Sequence, residues 1–221
     1  MALQHSPSIV TSGLVMCLDA ANPRSYPGSG TAWRDVSSAG NNGTLVNGPT
    51  YSSSNGGTIT FDGVDDYCST SATVEAATNS NLQTISGWLI GNGALFGSNA
   101  GGIGQFHLRV SLSGTTLTYN VSYYGGAGGE TNDTATVTPN AVNNIVIVKT
   151  AAEKYDVYFN NVKVMNQVTK KATVSTSFYP GLYYTGSYNA GTVSNYLIYN
   201  RTLSSDEITQ NFNAYRGRYG I

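Results

Sequence analysis

Short runs of β-branched and aromatic residues, separated by turn dipeptides, recur along the sequence and limit the folds available to it. Residues 144–149 (NIVIVK) form a continuous β-branched run, which is typical of a strand buried on both faces. Residues 155–160 (YDVYFN) follow the period of two expected of a strand with one buried face. Asn42-Gly43 is a strong turn signal because both residue types tolerate a positive φ. The pattern predicts an all-β chain.

Composition and charge exclude several classes of protein. Charged residues make up 10% of the 221 residues, against about 25% in an ordinary soluble domain. The 11 basic and 12 acidic residues leave a net charge of -1, so the chain lacks the basic surface that binds a nucleic-acid backbone. No stretch approaches the roughly 20 apolar residues of a membrane helix. We therefore expect neither nucleic acid nor a membrane as a partner. A net charge near zero also favours association with other chains.

The chain divides into a short arm and one domain. Residues 1–12 are mixed polar without periodicity and are predicted to be an N-terminal arm, whereas residues 13–221 fit one β domain in length. Cys17 and Cys68 are too few to form a disulfide framework, and each lies in an apolar run. We predict two buried thiols, with a single disulfide as the alternative.

One segment near the C-terminus departs from the strand pattern. Ser204 with Glu207 three residues later is a capping box, the signature of a helix start. The apolar residues that follow lie on one helical face, at Ile208, Phe212 and Tyr215. The segment predicts one short helix over residues 205–216, docked on the edge of the β domain.

Seven segments, in a fixed order, carry a resemblance to a known superfamily. They are residues 13–20 (GLVMCLDA), 32–35 (AWRD), 41–48 (NNGTLVNG), 59–67 (ITFDGVDDY), 84–88 (TISGW), 155–164 (YDVYFNNVKV) and 196–221 (YLIYNRTLSSDEITQNFNAYRGRYGI). This order resembles the concanavalin A-like lectin/glucanase superfamily, in particular its laminin-G-like branch. The resemblance implies a two-sheet antiparallel jelly-roll sandwich that closes on the C-terminal helix.

A narrower resemblance concerns the amino-acid sequences of three segments. Residues 18–30 (LDAANPRSYPGSG), 41–51 (NNGTLVNGPTY) and 211–221 (NFNAYRGRYGI) are similar to virion structural proteins of tailed bacteriophages. This implies a non-enzymatic virion protein, such as a capsid decoration or cement protein or another particle-surface component. Its partners would be a major capsid protein, other virion proteins and further copies of the chain. The arm and residues 216–221 would then contact neighbouring molecules.

The alternative is a carbohydrate-binding module that attaches to a host surface glycan, in a tail fibre or a cell-surface protein. Tyrosine supplies 16 residues, and two pairs flank glycine-containing loops, namely Tyr123-Tyr124 and Tyr183-Tyr184. Flat aromatic faces suit the C–H side of a sugar ring. Neighbouring strand residues point to opposite faces, so one tyrosine of each pair could line such a site. Otherwise they are ordinary half-buried strand residues.

Catalysis is not expected. Glycosidases of the resembled superfamily carry a Glu-x-Asp-x-Glu type strand, because retention requires two carboxylates about 5–5.5 Å apart across the scissile bond. No such run occurs here, and the four glutamates lie apart, at Glu75, Glu130, Glu153 and Glu207. We therefore predict no catalytic residues.

The densest acidic cluster is Asp62, Asp65 and Asp66, on either side of a predicted turn. Calcium binds relatives of this fold, so these aspartates are candidate calcium ligands, although they lack the EF-hand spacing. The alternative is that Asp62 and Asp66 accept hydrogen bonds from turn amides. No other cofactor is expected.

Overall fold

A computed structural model describes residues 7–74, 83–99, 105–124, 131–169, 176–184 and 187–221. Within these ranges the chain forms 19 β-strands and one α-helix. All strand pairs found there are antiparallel, which confirms the predicted all-β sandwich with one short C-terminal helix. No helix in the described ranges is long and apolar enough to cross a membrane.

The strands are numbered in chain order. They are β1 (Leu14–Asp19), β2 (Ala32–Trp33), β3 (Gly43–Val46), β4 (Thr50–Ser52), β5 (Thr58–Asp62), β6 (Tyr67–Thr70), β7 (Thr73–Val74), β8 (Thr84–Ile90), β9 (Gly93–Asn99), β10 (Gln105–Ser113), β11 (Thr116–Tyr124), β12 (Thr131–Thr136), β13 (Val142–Ala151), β14 (Lys154–Phe159), β15 (Val162–Thr169), β16 (Thr176–Tyr179), β17 (Leu182–Tyr184), β18 (Ser187–Tyr188) and β19 (Ala190–Tyr199). The helix α1 spans Ser205–Arg216.

Two larger sheets and two smaller ones make up the jelly-roll sandwich. The larger sheet has eight strands, seven of them in the order β15-β14-β13-β8-β19-β5-β4. The eighth, β1, pairs with residues 195–199 of β19, whereas β5 pairs with residues 190–193 on the same edge of that strand. The second sheet has six strands in the order β12-β11-β10-β9-β16-β7. A three-stranded sheet, β2-β3-β6, and a hairpin, β17-β18, complete the fold.

The inner faces of the two larger sheets share one hydrophobic core. Its members include Ile85, Ile147 and Ile198 from the eight-stranded sheet, and Val110, Leu112 and Leu117 from the six-stranded sheet. Full burial of each such side chain contributes about 1.5–3 kcal/mol. The packing of the two sheets is therefore the main source of stability in the domain.

The β-branched run in β13 is buried on both faces, as its sequence predicted. Ile145 and Ile147 belong to the core between the sheets, whereas Val146 and Val148 belong to a second core on the outer face. Side chains alternate along a strand, so a run with no polar member needs cover on both sides. The outer face of the eight-stranded sheet must therefore pack against another element.

Helix α1 provides this cover, and its predicted position on the sandwich edge was wrong. Ile208 and Tyr215 of the helix share the outer core with Trp88 and Leu197 of the sheet, and Phe212 packs against the same core. The edge prediction failed because it considered the apolar face of the helix without the apolar outer face of the sheet. An amphipathic helix buries more apolar surface on such a face than at an edge.

The predicted capping box begins the helix. Ser204 Oγ accepts a hydrogen bond from the Glu207 amide at 3.3 Å, and the Ser204 amide donates to Glu207 Oε2 at 2.9 Å. Arg201 completes the arrangement, because its Nη2 lies 2.6 Å from Glu207 Oε1. The hydrogen bond from Arg201 and that from the Ser204 amide lower the pKa of Glu207 to about 2.

We expect Glu207→Gln to remove a pH-dependent part of the stability. Because the folded-state pKa lies below the ordinary value of 4.5, the contribution is fully present above about pH 4.5 and is lost as the pH falls through about 2. An exposed ion pair combined with a cap contributes about 1 kcal/mol, so the melting temperature at pH 7 should fall by about 2–4 °C. Thermal unfolding from pH 7 to pH 3 should show this difference shrinking below pH 4.5.

Asp206→Asn is the matched control, because Asp206 lies in the same first turn and forms no ion pair within the described part of the chain. Its effect on the melting temperature at pH 7 should be smaller than that of Glu207→Gln. Identical pH profiles for Glu207→Gln and the unaltered protein would contradict the role given to the Arg201–Glu207 pair.

The described ends of the chain pack on their own domain. The Val10 amide donates to Asn211 Oδ1 at 2.8 Å, and Tyr199 Oη donates to the Val10 carbonyl at 2.9 Å. At the other end, Tyr219 and Ile221 pack against the outer core. Contacts within the chain thus hold both described ends, and contacts of residues 1–12 and 216–221 with neighbouring molecules stay a prediction.

Both cysteines are buried free thiols, as predicted. Cys17 faces the outer core and Cys68 the core between the sheets. Burial raises the pKa of the Cys17 thiol to about 12 and also raises that of Cys68. Both side chains therefore act as small apolar residues rather than as nucleophiles or metal ligands.

Candidate functional site

The acidic cluster lies on the tight turn between β5 and β6. Asp62 Oδ1 accepts hydrogen bonds from the amides of Val64, Asp65 and Asp66, at 2.8, 3.3 and 3.4 Å. Asp66 Oδ2 accepts from the Asp62 amide at 3.1 Å. These bonds confirm the prediction that Asp62 and Asp66 satisfy turn amides, as aspartates do in Asx-turns.

Carboxylate oxygens of the three aspartates lie within 4.8 Å of one another. The hydrogen bond from the Val64 amide is the main cause that lowers the pKa of Asp62, whereas burial raises the pKa of Asp66. Asp62 and Asp65 are exposed and Asp66 is buried. The turn therefore presents negative charge to solvent through its two exposed carboxylates.

The same turn was predicted as a candidate calcium site. Calcium takes six to eight oxygen ligands. The cluster brings three carboxylates together, but Asp62 Oδ1 and Asp66 Oδ2 are already engaged by turn amides. The arrangement is thus accounted for by the turn itself, and calcium binding stays a prediction from the sequence.

Three tyrosines form a cluster around Tyr67, the residue that directly follows this turn. Tyr67 is the first residue of β6, and its ring centroid lies 6.3 Å from that of Tyr179 and 6.2 Å from that of Tyr188. The Tyr67–Tyr179 pair is edge-on and the Tyr67–Tyr188 pair is tilted, as aromatic pairs prefer. All three side chains are half-buried. Each of the three residues therefore packs against another tyrosine ring and is only partly buried.

The acidic turn and the tyrosine cluster are neighbours along the chain. Exposed Asp65 precedes half-buried Tyr67 by two residues, with buried Asp66 between them. We call Asp62, Asp65, Tyr67, Tyr179 and Tyr188 the tyrosine–carboxylate patch.

Backbone hydrogen bonds hold the distant parts of this patch together. The Cys68 amide donates to the Pro180 carbonyl and the Asn189 amide to the Gly181 carbonyl, both at 2.7 Å. Gly181 has φ +84°, and a Cβ there would lie 2.7 Å from the Asp66 carbonyl oxygen. Only glycine allows this close approach. The loop that connects Tyr179 to the β17-β18 hairpin is thus seated on the acidic turn.

Polar and apolar groups border the patch. Asn47 Nδ2 donates to the Asp65 carbonyl at 2.8 Å, and its neighbour Val46 pairs with Tyr67 in the three-stranded sheet. Val64, at the tip of the acidic turn, is 73% exposed. The patch therefore combines aromatic rings, carboxylates, an amide and an exposed aliphatic side chain.

The four tyrosines predicted from the sequence lie in strands, but their own side chains fall outside the described part of the chain. Tyr123 and Tyr124 end β11, opposite Phe106 and Gln105 of β10. Tyr183 and Tyr184 lie in β17, the partner of β18, which ends at Tyr188 of the patch. The backbone thus places one of the two predicted pairs on the patch hairpin. A sugar-binding role for these four residues stays a prediction.

Sequence reasoning missed the tyrosines of the patch. Tyr67 ends the segment FDGVDDY, and Tyr179 precedes Pro180-Gly181. Both positions, at the border of a turn, were a usable signal. The contact between the two rings could not be predicted from the sequence, because more than 100 residues separate Tyr67 from Tyr179.

Comparison with known proteins identifies the fold. No family model matches the sequence, and neither does a curated protein. Among solved structures, the binding domain of botulinum neurotoxin serotype G is similar with a TM-score of 0.65 and 10% identity, over 90% of this chain and 50% of that one. The binding domain of botulinum neurotoxin DC in complex with SialylT has a TM-score of 0.63 and 10% identity, over 93% and 52%.

Trypanosoma rangeli sialidase in complex with sialic acid is similar with a TM-score of 0.62 and 20% identity, over 97% of this chain and 36% of that one. The chain therefore spans about a third to a half of the length of these similar structures. At such low identity the likeness is one of fold alone, an antiparallel β-sandwich. Function has to be argued from the residues of this chain.

Proposed function

We propose that this chain is a non-enzymatic carbohydrate-binding module and that the tyrosine–carboxylate patch is its binding site. The observation that carries the proposal is the cluster of three half-buried tyrosines beside two exposed carboxylates. Two of the similar structures support it, since they are complexes with sialic acid and with SialylT.

The chemistry of the patch suits a sugar ring. The C–H face of a pyranose packs on an aromatic ring, whose negative face attracts the polarised hydrogens. Sugar hydroxyls donate to carboxylate oxygens, and hydrogen bonds to charged groups are the stronger ones. Tyr67, Tyr179 and Tyr188 are held by one another, so little side-chain freedom is lost on binding.

The placement of the carboxylates argues against glycoside hydrolysis. A glycosidase needs two carboxyl groups on opposite sides of the scissile bond. Asp62, Asp65 and Asp66 all belong to one tight turn, and they hydrogen-bond within it. They therefore approach a ligand from a single side, which favours binding over catalysis.

Virion location, a capsid-protein partner and self-association stay predictions from the sequence resemblance. We rank carbohydrate binding above a purely structural virion role because the described ends of the chain contact their own domain, which removes one argument for assembly. Both hypotheses would hold for a virion protein that binds a host surface glycan. The copy number of the chain in purified particles would separate a shell component from a distal appendage.

A glycan array with the purified chain tests the proposed function, and Tyr188→Ala tests the site. We expect this substitution to weaken glycan binding at least about tenfold, because it removes one aromatic face of the patch, which corresponds to about 1.4 kcal/mol. Isothermal titration calorimetry with the best ligand from the array measures the change. The melting temperature should be recorded alongside to confirm that the variant is folded.

Tyr158→Ala is the matched control. Tyr158 is also half-buried, but it lies in β14 and faces Lys163, whose Nζ is 5.4 Å from the ring centroid. The Tyr158→Ala variant should bind the glycan with the same affinity as the unaltered protein. Equal losses in both variants, or no glycan bound on the array, would overturn the proposal.

A further inference from the structure

The charge of the tyrosine–carboxylate patch limits which sugars it can take. Asp62 and Asp65 are exposed, and their carboxylate oxygens lie within 4.8 Å of each other and of Asp66. The Val64 amide and its neighbours in the turn keep the pKa of Asp62 below its ordinary value. At neutral pH a ligand therefore meets two negative charges beside the tyrosine rings.

Within the described part of the chain, no ion pair with Asp62, Asp65 or Asp66 is found. Arg201, Arg218 and Lys163 pair instead with Glu207, Asp19 and Asp156. The electrostatic influences on the Asp66 carboxyl come from Asp62 and Asp65, both negative. Among the described residues, the two exposed carboxylates therefore have no ion-pair partner.

A charged sugar responds to this field according to its sign. A negative group on the sugar, in contact with one carboxylate in water, weakens the affinity by about fivefold. A positive group in the same place strengthens the affinity by about fivefold. Two exposed carboxylates therefore separate an anionic sugar from a cationic one by more than tenfold. Tyrosine faces add to the preference, because aromatic rings attract ammonium groups.

We propose that the patch recognises amino sugars with a free ammonium group, in preference to neutral sugars, and rejects sialylated ones. This inference rests on the proposed carbohydrate-binding function and gives it a substrate class. The ammonium contacts Asp62 and Asp65 while the ring stacks on the tyrosines. The expected order of affinity is the opposite of what the sialylated ligands of the similar structures would suggest.

Three soluble probes of different charge test this order at pH 6 and low salt. They are a chitosan oligosaccharide, the N-acetylated chitin oligosaccharide of the same length and sialyllactose. Titration calorimetry should show the chitosan oligosaccharide binding about tenfold more tightly than the chitin oligosaccharide, with sialyllactose the weakest. The preference for chitosan should decline between 50 and 500 mM NaCl, because salt screens exposed charges.

The double variant Asp62→Asn, Asp65→Asn removes the charge but keeps an oxygen for the turn amides. It should lose the tenfold preference for chitosan, so that the chitosan and chitin oligosaccharides bind this variant within about twofold of each other. Asp206→Asn, on the distant helix, removes one exposed charge and should leave the order unchanged. Repeating the titrations with EDTA and with 1 mM calcium should give the same order.

The outcomes separate the two proposals. Binding of none of these probes, together with no glycan bound on the array, overturns the proposed function itself. Sialyllactose binding as tightly as chitosan, with or without calcium, overturns the inference and leaves carbohydrate binding intact. An unchanged preference in the double variant also overturns the inference, because the charge would then come from elsewhere.

Discussion

We expect Trp88→Ala to lower the free energy of unfolding by about 3–5 kcal/mol, the usual cost of truncating a buried tryptophan. Trp88 is 1% exposed in the centre of the eight-stranded sheet. Its ring stacks on Phe212 of α1 at 5.5 Å and 17°, and lies 4.5 Å from the ring of Tyr219 in the tail. The substitution therefore removes the contact that joins the sheet to both the helix and the tail.

Urea unfolding followed by circular dichroism measures this loss. Trp88→Phe is the control, since it keeps an aromatic ring and should cost clearly less. Limited proteolysis adds a local readout, because the helix and tail should be cleaved in Trp88→Ala before the sandwich unfolds. A loss below about 1 kcal/mol would show that the outer core does not depend on this ring.

The second large effect concerns the ion pair between the tail and the first strand. Arg218 Nη1 and Nη2 donate to Asp19 Oδ1 and Oδ2, at 2.8 and 3.0 Å. The Asp19 side chain is only 6% exposed. Burial opposes the charge of Arg218, but the Asp19 carboxylate outweighs it and raises the arginine pKa. The pair is therefore a bidentate contact between a buried carboxylate and an arginine whose side chain is 28% exposed.

We expect Arg218→Met to cost about 3 kcal/mol, because it leaves the Asp19 carboxylate buried without its partner. Asp19→Asn with Arg218→Met should cost less than the sum of the two single substitutions, with a coupling of at least 1 kcal/mol. Chemical unfolding of the four proteins completes this double-mutant cycle. Additive single effects would mean that the pair contributes no specific energy.

Arg216→Met is the matched control for this cycle. Arg216 is an exposed arginine in the last turn of α1, two residues before Arg218, and it forms no ion pair within the described ranges. Its substitution should change the stability by less than about 0.5 kcal/mol. A loss as large as that of Arg218→Met would point to a general effect of charge at the helix end.

Local patterns account for what was predicted correctly. The capping box of α1 involves residues three apart, Ser204 and Glu207, and their contacts form as predicted. The hydrogen bonds of Asp62 and Asp66 also stay within one turn. Such contacts depend on neighbours in the chain and are readable from it. The burial of β13 on both faces was also readable, because a continuous apolar run places apolar side chains on both faces of a strand.

The candidate site was predicted only in part. The acidic turn was recognised, whereas the aromatic partners were sought at Tyr123, Tyr124, Tyr183 and Tyr184. The tyrosines that meet in the described structure are Tyr67, Tyr179 and Tyr188. They come from three strands of three different sheets, so no local period connects them.

By itself, the sequence determined that the chain forms strands, where its turns and helix begin, and that its surface carries little charge. These properties depend on residue type and on contacts between close neighbours. The tertiary structure decided which sheet face α1 covers, that the described ends of the chain pack on their own domain, and which tyrosines flank the acidic turn. These features depend on pairings between residues more than 100 positions apart, such as Phe178 with Ala72 and Cys68 with Pro180. Such pairings become determined only when whole sheets pack together and bury their apolar faces.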